Sequence, residues 1–164
     1  MHKSVTARTH YSKKKGECVM NDTVELLQSC HRGCITAVNS LEQVMDHVQS
    51  DEMKDCLEKT LQRHKSLGKD IDSRLNAHDV EGAEPNMMAR MGVWMTTEMR
   101  MMMGDASDRD HQIAKLTING CNMGIQTLSE DINRLKKASG DSIDLATSLV
   151  TEEQKLMDDL RMYL

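Results

Sequence analysis

Aromatic residues and proline are almost missing from this chain. Its 164 residues include no Phe, one Trp, two Tyr and a single proline, Pro85. Sheets favour aromatic and β-branched side chains, and proline interrupts helices, so these absences argue against a sheet and leave helix open almost everywhere. Fifteen methionines supply flexible apolar side chains instead. The composition predicts an all-α protein, and the length suits one domain.

Several functional classes lack their sequence signatures here. The chain has no run of about 18 apolar residues, so we expect no membrane span. It also has no Gly-rich phosphate loop, no Gly-x-Ser-x-Gly elbow and no His-Glu-x-x-His motif. Its five cysteines are odd in number and follow no secretory leader, which argues against a disulfide framework and predicts a reducing, cytoplasmic location.

Charge is unevenly distributed along the chain. Residues 1–20 contain five Lys or Arg and one Glu, although the net charge of the whole chain is −5. The acidic remainder argues against nucleic-acid binding, because affinity for a duplex comes largely from Lys and Arg. We predict a basic, disordered tail over 1–20 and a helical bundle over 21–164. A transit peptide, or a natural start at Met20, would also explain the tail.

Capping signals and apolar periodicity predict two long helices in the first half of the chain. Asp22 and Glu25 resemble a capping box, so the first helix should begin there and end near Gln49. Ser50 should cap a second helix that ends near His78. Apolar steps of three and four residues define the inner stripe of this second helix: Met53, Leu57, Leu61, His64, Leu67, Ile71 and Leu75.

The second half of the chain repeats the pattern after a break. Residues 79–86 contain Gly and Pro and should interrupt helix, and a shorter Met-rich helix is predicted over Met87–Met103. Two long helices should follow, the first capped within 107–110 and the second by Asp141 or Ser142. The inner stripe of the third long helix is predicted as Ile113, Leu116, Gly120, Met123, Thr127, Leu128 and Leu135. This order predicts an antiparallel four-helix bundle with a long crossover.

Two polar side chains fall on the predicted inner stripes at mid-height. At 1.5 Å rise per residue, His64 and Glu153 each lie roughly 20 Å from the nearest predicted loop of their helices. Burying an imidazole and a carboxylate is costly unless they pair or bind a metal. We therefore expect the two side chains to meet or to serve as ligands.

This layout resembles the ferritin-like superfamily, whose metal-binding members carry a Glu on the first and third long helices and Glu-x-x-His on the second and fourth. The chain has Leu61 and His64 where one such motif would stand, and Glu153 and Leu156 where the other would stand. The resemblance covers residues 21–164 and implies an incomplete ligand set, so we expect no di-iron ferroxidase or oxygenase activity. An iron or zinc site at His64 and Glu153, a vestigial site, and a plain core hydrogen bond are the open alternatives.

A second candidate ligand set lies on the first helix. Cys30, His31 and Cys34 occupy positions i, i+1 and i+4, and soft thiolates suit zinc or copper(I). The plainer interpretation is that both cysteines are small core residues. The methionines of Met87–Met103 could add thioether ligands for copper, or could pack against the bundle or a second subunit.

The sequence favours a non-catalytic bundle that acts by oligomerisation, with a dimer as the first candidate, or by binding a protein partner. A metal protein holding iron, zinc or copper is the alternative, and a coiled-coil protein whose helices pair between chains is a third. No cofactor is indicated beyond these metals. Gly120 and Gly124 lie four residues apart inside the third long helix, where glycine is destabilising, and they predict a close approach between helices.

Overall fold

Four long helices make up the described part of the chain. The computed structural model describes residues 5–82 and 108–164, with side chains from residue 21 onward. The helices are α1 (Val5–Met45), α2 (Asp51–Ala77), α3 (Arg109–Arg134) and α4 (Gly140–Leu160), followed by a short 3-10 helix at Arg161–Tyr163. They pack as an all-α four-helix bundle, as predicted. The predicted helix over Met87–Met103 lies outside the described residues.

At one end of the bundle, the α1–α2 turn lies against the start of α3. The Asp110 carboxylate accepts hydrogen bonds from the backbone amides of Gln49 and Ser50, each at 2.8 Å. The Tyr163 hydroxyl, just beyond α4, lies 3.4 Å from the Ser50 hydroxyl. This end therefore combines the α1–α2 turn, the start of α3 and the end of α4.

At the other end, the α3–α4 turn lies against α1. The amide of Lys137 donates to Asp22 at 3.0 Å, and the amide of Ser139 donates to the Thr23 hydroxyl at 2.9 Å. Together the two ends show that α2 and α3 run in the same direction, opposite to α1 and α4. The chain between residues 82 and 108 therefore connects opposite ends of the bundle.

The predicted start of the first helix at Asp22 is wrong, because α1 begins at Val5 and continues through that position. The physical reason is visible in the turn contacts. Asp22 and Thr23 accept hydrogen bonds from the α3–α4 turn and do not cap their own helix. The division of the chain at residue 20 into tail and bundle stays a prediction.

The inner stripe of α2 is confirmed in full. Ser50 caps the helix by accepting a hydrogen bond from the amide of Met53 at 3.2 Å. The buried residues of α2 are the seven predicted ones, from Met53 to Leu75, with His64 among them. The buried apolar residues form two clusters, one at each end of the bundle. His64 belongs to neither cluster and lies between them.

The predictions for α3 and α4 need correction in detail. Met123 was placed on the inner stripe of α3 but is 45 % exposed, whereas Cys121 is buried. The N-cap of α4 is Ser139, which accepts from the amide of Ser142 at 3.3 Å, so the predicted caps Asp141 and Ser142 lie inside the helix. Among the described helices, none is long and apolar enough to cross a membrane.

Candidate functional site

The middle layer of the bundle contains a buried imidazole–carboxylate pair. His64 on α2 and Glu153 on α4 meet with Nε2 3.0 Å from Oε1, and their side chains are 1 % and 12 % exposed. The other ring nitrogen of His64, Nδ1, lies 3.0 Å from the Thr60 carbonyl oxygen of its own helix. The structure thus brings together the two residues that the sequence placed at mid-height.

The hydrogen bonds of His64 constrain which of its ring nitrogens carry a proton. A carbonyl oxygen only accepts, so Nδ1 must carry a proton to bond Thr60. Burial opposes the charged ring and is the largest single influence on its pKa, but the hydrogen bond and the charge of Glu153, aided by the Thr60 carbonyl, outweigh it and raise the pKa of His64. In its protonated form the ring donates to both neighbours and forms an ion pair with Glu153 inside the core.

Cys121 on α3 is a third polar side chain next to this pair, and the sequence analysis missed it. Burial raises the pKa of the Cys121 thiol, and the charge of Glu153 and a hydrogen bond to that carboxylate raise it further. Cys121 therefore stays a thiol and donates to Glu153. It was missed because the predicted stripe of α3 ran through Met123, two residues away.

A groove opens between α1 and α3 above the His64–Glu153 pair. Its volume is about 180 Å³, and both His64 and Glu153 line its floor. Small side chains and glycines form most of its two walls: Ser29, Gly33, Thr36, Ala37 and Ser40 on α1, and Thr117, Gly120, Gly124 and Thr127 on α3. We call this feature the α1–α3 groove.

The groove corrects the prediction of a close helix approach at Gly120 and Gly124. A methyl group added at Gly120, or at Gly33 on the opposite wall, would meet no atom of the described residues within 4 Å. One added at Gly124 would come only within ordinary contact of Glu153, at 3.9 Å. The missing side chains therefore leave open space between α1 and α3, where close packing was expected.

The structure separates the second candidate ligand set. Cys30 and Cys34 are buried in the core cluster, whereas His31 lies on the flank of α1 with Nε2 3.1 Å from Asp72 on α2. Burial, the largest influence, raises the pKa of both thiols to about 12. Both thiols are therefore uncharged in the core when no metal is bound, and metal binding at Cys30, His31 and Cys34 stays a prediction.

Metal binding at His64 and Glu153 stays a prediction. Within residues 21–82 and 108–164, no group of three or more His, Cys, Asp or Glu side chains is arranged to hold a metal ion. Copper binding through Met87–Met103 lies outside the described residues.

Comparisons with protein families, curated proteins and solved structures find no match to this chain. The functional argument therefore rests on the residues of the chain itself.

Proposed function

We propose that this protein is a ferritin-like, non-catalytic bundle that acts as a homodimer formed through the α1–α3 face. The observation that carries the proposal is the α1–α3 groove, an apolar opening in the side of the described bundle. Exposed apolar surface that is rimmed by polar residues often marks an interaction site. The half-filled ligand motifs noted in the sequence favour association over catalysis.

The direction of the helices supports the ferritin-like part of the proposal. α2 and α3 run in the same direction, and residues 83–107 connect opposite ends of the bundle. That is the arrangement of a bundle with one long crossover, as in ferritin-like folds. An all-short-loop bundle would instead have α2 and α3 antiparallel.

Two charged side chains support a second copy as the partner: Arg32, which lines the groove, and Glu130, which is exposed on α3. The hydrogen bond between Ser29 and Asp131 places these two residues at about the same height along the bundle axis. Counting from it, Arg32 on α1 and Glu130 on α3 lie within about 3 Å along the bundle axis. Neither side chain forms an ion pair with a described residue, so a cation on α1 and an anion on α3 have no partner among the described residues at nearly the same level.

A dimer whose two-fold axis runs parallel to the helices would pair both charges. It places α1 of one copy over α3 of the other at the same level, so Arg32 faces Glu130 twice in each dimer. The exposed Met123, on the α3 rim, would be covered in the same interface. The two grooves then face each other across the axis.

Sedimentation velocity on charge-reversed variants tests this dimer. Arg32→Glu and Glu130→Arg should each weaken dimerisation, because each places like charges together at two symmetric positions. Two such pairs at about 0.7 kcal/mol each change the dissociation constant about tenfold. The double variant, Arg32→Glu with Glu130→Arg, should restore the wild-type value.

Lys69→Glu on α2 is the matched control, since it makes the same charge change on another face and should leave association unchanged. A wild-type protein that stays monomeric at all concentrations would overturn the proposal. So would single variants that associate like the Lys69→Glu control.

A further inference from the structure

The floor of the α1–α3 groove has the properties of a small-molecule site. Its volume of about 180 Å³ is slightly larger than the roughly 150 Å³ apolar cavity that takes up benzene in an engineered protein. The open space at Gly33 and Gly120, where an added methyl group would meet no atom within 4 Å, shows that the protein's described side chains leave this volume unfilled. A molecule with one aromatic ring would fit.

The hydroxyl groups on the walls make few polar demands on such a molecule. The charged residues of the walls are Arg32 and Asp131, and Asp131 already accepts hydrogen bonds from two described side chains. Thr36 donates its hydroxyl to the Arg32 carbonyl at 2.8 Å, and Thr127 donates to the Met123 carbonyl at 2.9 Å. The hydroxyl groups of these two wall residues are thus satisfied within their own helices. The wall that they present is suited to an apolar body.

Glu153 is the exception on the floor. A carboxylate offers about four lone-pair positions, and the described donors are the imidazole of His64 and the thiol of Cys121. Its side chain is 12 % exposed, and Gly124 leaves its carboxyl group uncovered because that position has no side chain. The carboxylate therefore keeps acceptor capacity toward the groove.

The largely apolar lining of the groove selects the kind of donor. A charged ligand would have to give up its hydration to enter the groove, which costs far more than the same loss for a neutral hydroxyl group. A neutral hydroxyl group can still form a strong, charge-assisted hydrogen bond to a carboxylate. An anionic ligand would meet Glu153 directly.

We propose that the α1–α3 groove binds a small apolar molecule that carries one neutral hydroxyl group, such as a phenol, with the hydroxyl donating to Glu153. This inference goes beyond the proposed dimer and does not depend on it, because the floor belongs to a single chain. Sedimentation of the same samples separates a failure of the dimer from a failure of the ligand site.

The test is a titration of the full-length protein followed by NMR of the methyl groups of Leu116 and Leu149, which line the groove. The probes are 4-methylphenol, 4-methylanisole, which has the same ring but no donor, and benzylamine, which is cationic. We expect 4-methylphenol to shift these methyl signals and to bind at least about tenfold more tightly than 4-methylanisole.

Variants of the groove make the result specific to this site. Gly120→Leu should abolish binding by filling the open space, and Gly33→Leu tests the same point from the other wall if the first variant does not fold. Gly68→Leu, on α2 outside the groove and equally free of neighbours, should bind like the wild type. Glu153→Gln should remove the preference for 4-methylphenol over 4-methylanisole.

Three outcomes would overturn the inference. Methyl signals that stay unshifted by 4-methylphenol would show that no such site exists. Equal affinity for 4-methylphenol and 4-methylanisole, or tighter binding of benzylamine, would show that a neutral hydroxyl group is not recognised. Binding that survives both groove-filling leucines would place the ligand elsewhere.

Discussion

Replacing Gly120 with alanine tests the spacing of α1 and α3 directly. Glycine in a helix interior is about 1 kcal/mol less favourable than alanine. An alanine Cβ at Gly120 would meet no atom of the described residues within 4 Å, so no steric cost opposes this gain. We expect Gly120→Ala to raise the free energy of unfolding by about 1 kcal/mol.

Other glycines of the chain provide matched comparisons. Gly68→Ala on α2 is equally unobstructed and should give the same gain, and Gly124→Ala should do so as well because its Cβ would only reach ordinary contact with Glu153. Gly82→Ala should bring no such gain. Gly82 lies beyond the end of α2, and a Cβ there would overlap the ring of His31, which would have to turn aside.

Urea unfolding followed by circular dichroism measures these differences, with an unchanged denaturant slope as the check that the unfolded state is comparable. A Gly120→Ala variant that lost stability, while Gly68→Ala gained it, would refute the reasoning. It would mean that α1 and α3 pack closely at this level, as the glycine spacing alone had indicated.

The buried pair gives two further predictions. His64→Leu and Glu153→Leu should each lower the free energy of unfolding by about 1 to 3 kcal/mol, because each leaves a buried polar group unpaired. The double leucine variant should unfold near the wild-type urea concentration. A double variant that loses more stability than the two single variants combined would contradict this. Because the pKa of His64 is raised above its ordinary 6.5, its contribution is complete below pH 6.5 and is lost as the pH rises through the folded value. Urea titrations above pH 6.5 should show stability falling by at most about 1.4 kcal/mol per pH unit, and the double variant should lack that component.

The sequence predicted those parts of the fold that depend on a periodic pattern. The stripe of α2 alternates strictly by three and four residues, and every predicted member is buried. The meeting of His64 and Glu153 followed from the same counting, because helical rise converts distance from a loop into height along the bundle. These properties depend on one helix at a time.

The sequence failed where a property depends on two helices together. A capping box indicates an acceptor near backbone amides, but Asp22 bonds the amide of Lys137, far along the chain. A pair of glycines indicates missing side chains, but Gly120 faces open space and no neighbouring helix. Cys121 was overlooked because a weak stripe in α3 allowed a register that placed Met123 inside.

The contacts at the two ends of the bundle have a consequence for how it unfolds. The α1–α2 turn depends on a carboxylate from α3, and the α3–α4 turn depends on side chains of α1. Neither hairpin therefore completes the hydrogen bonds of its own turn until the other hairpin has docked. Slow hydrogen exchange at the amides of Gln49 and Ser139 would report this docking, and the two halves of the chain should melt as one cooperative unit.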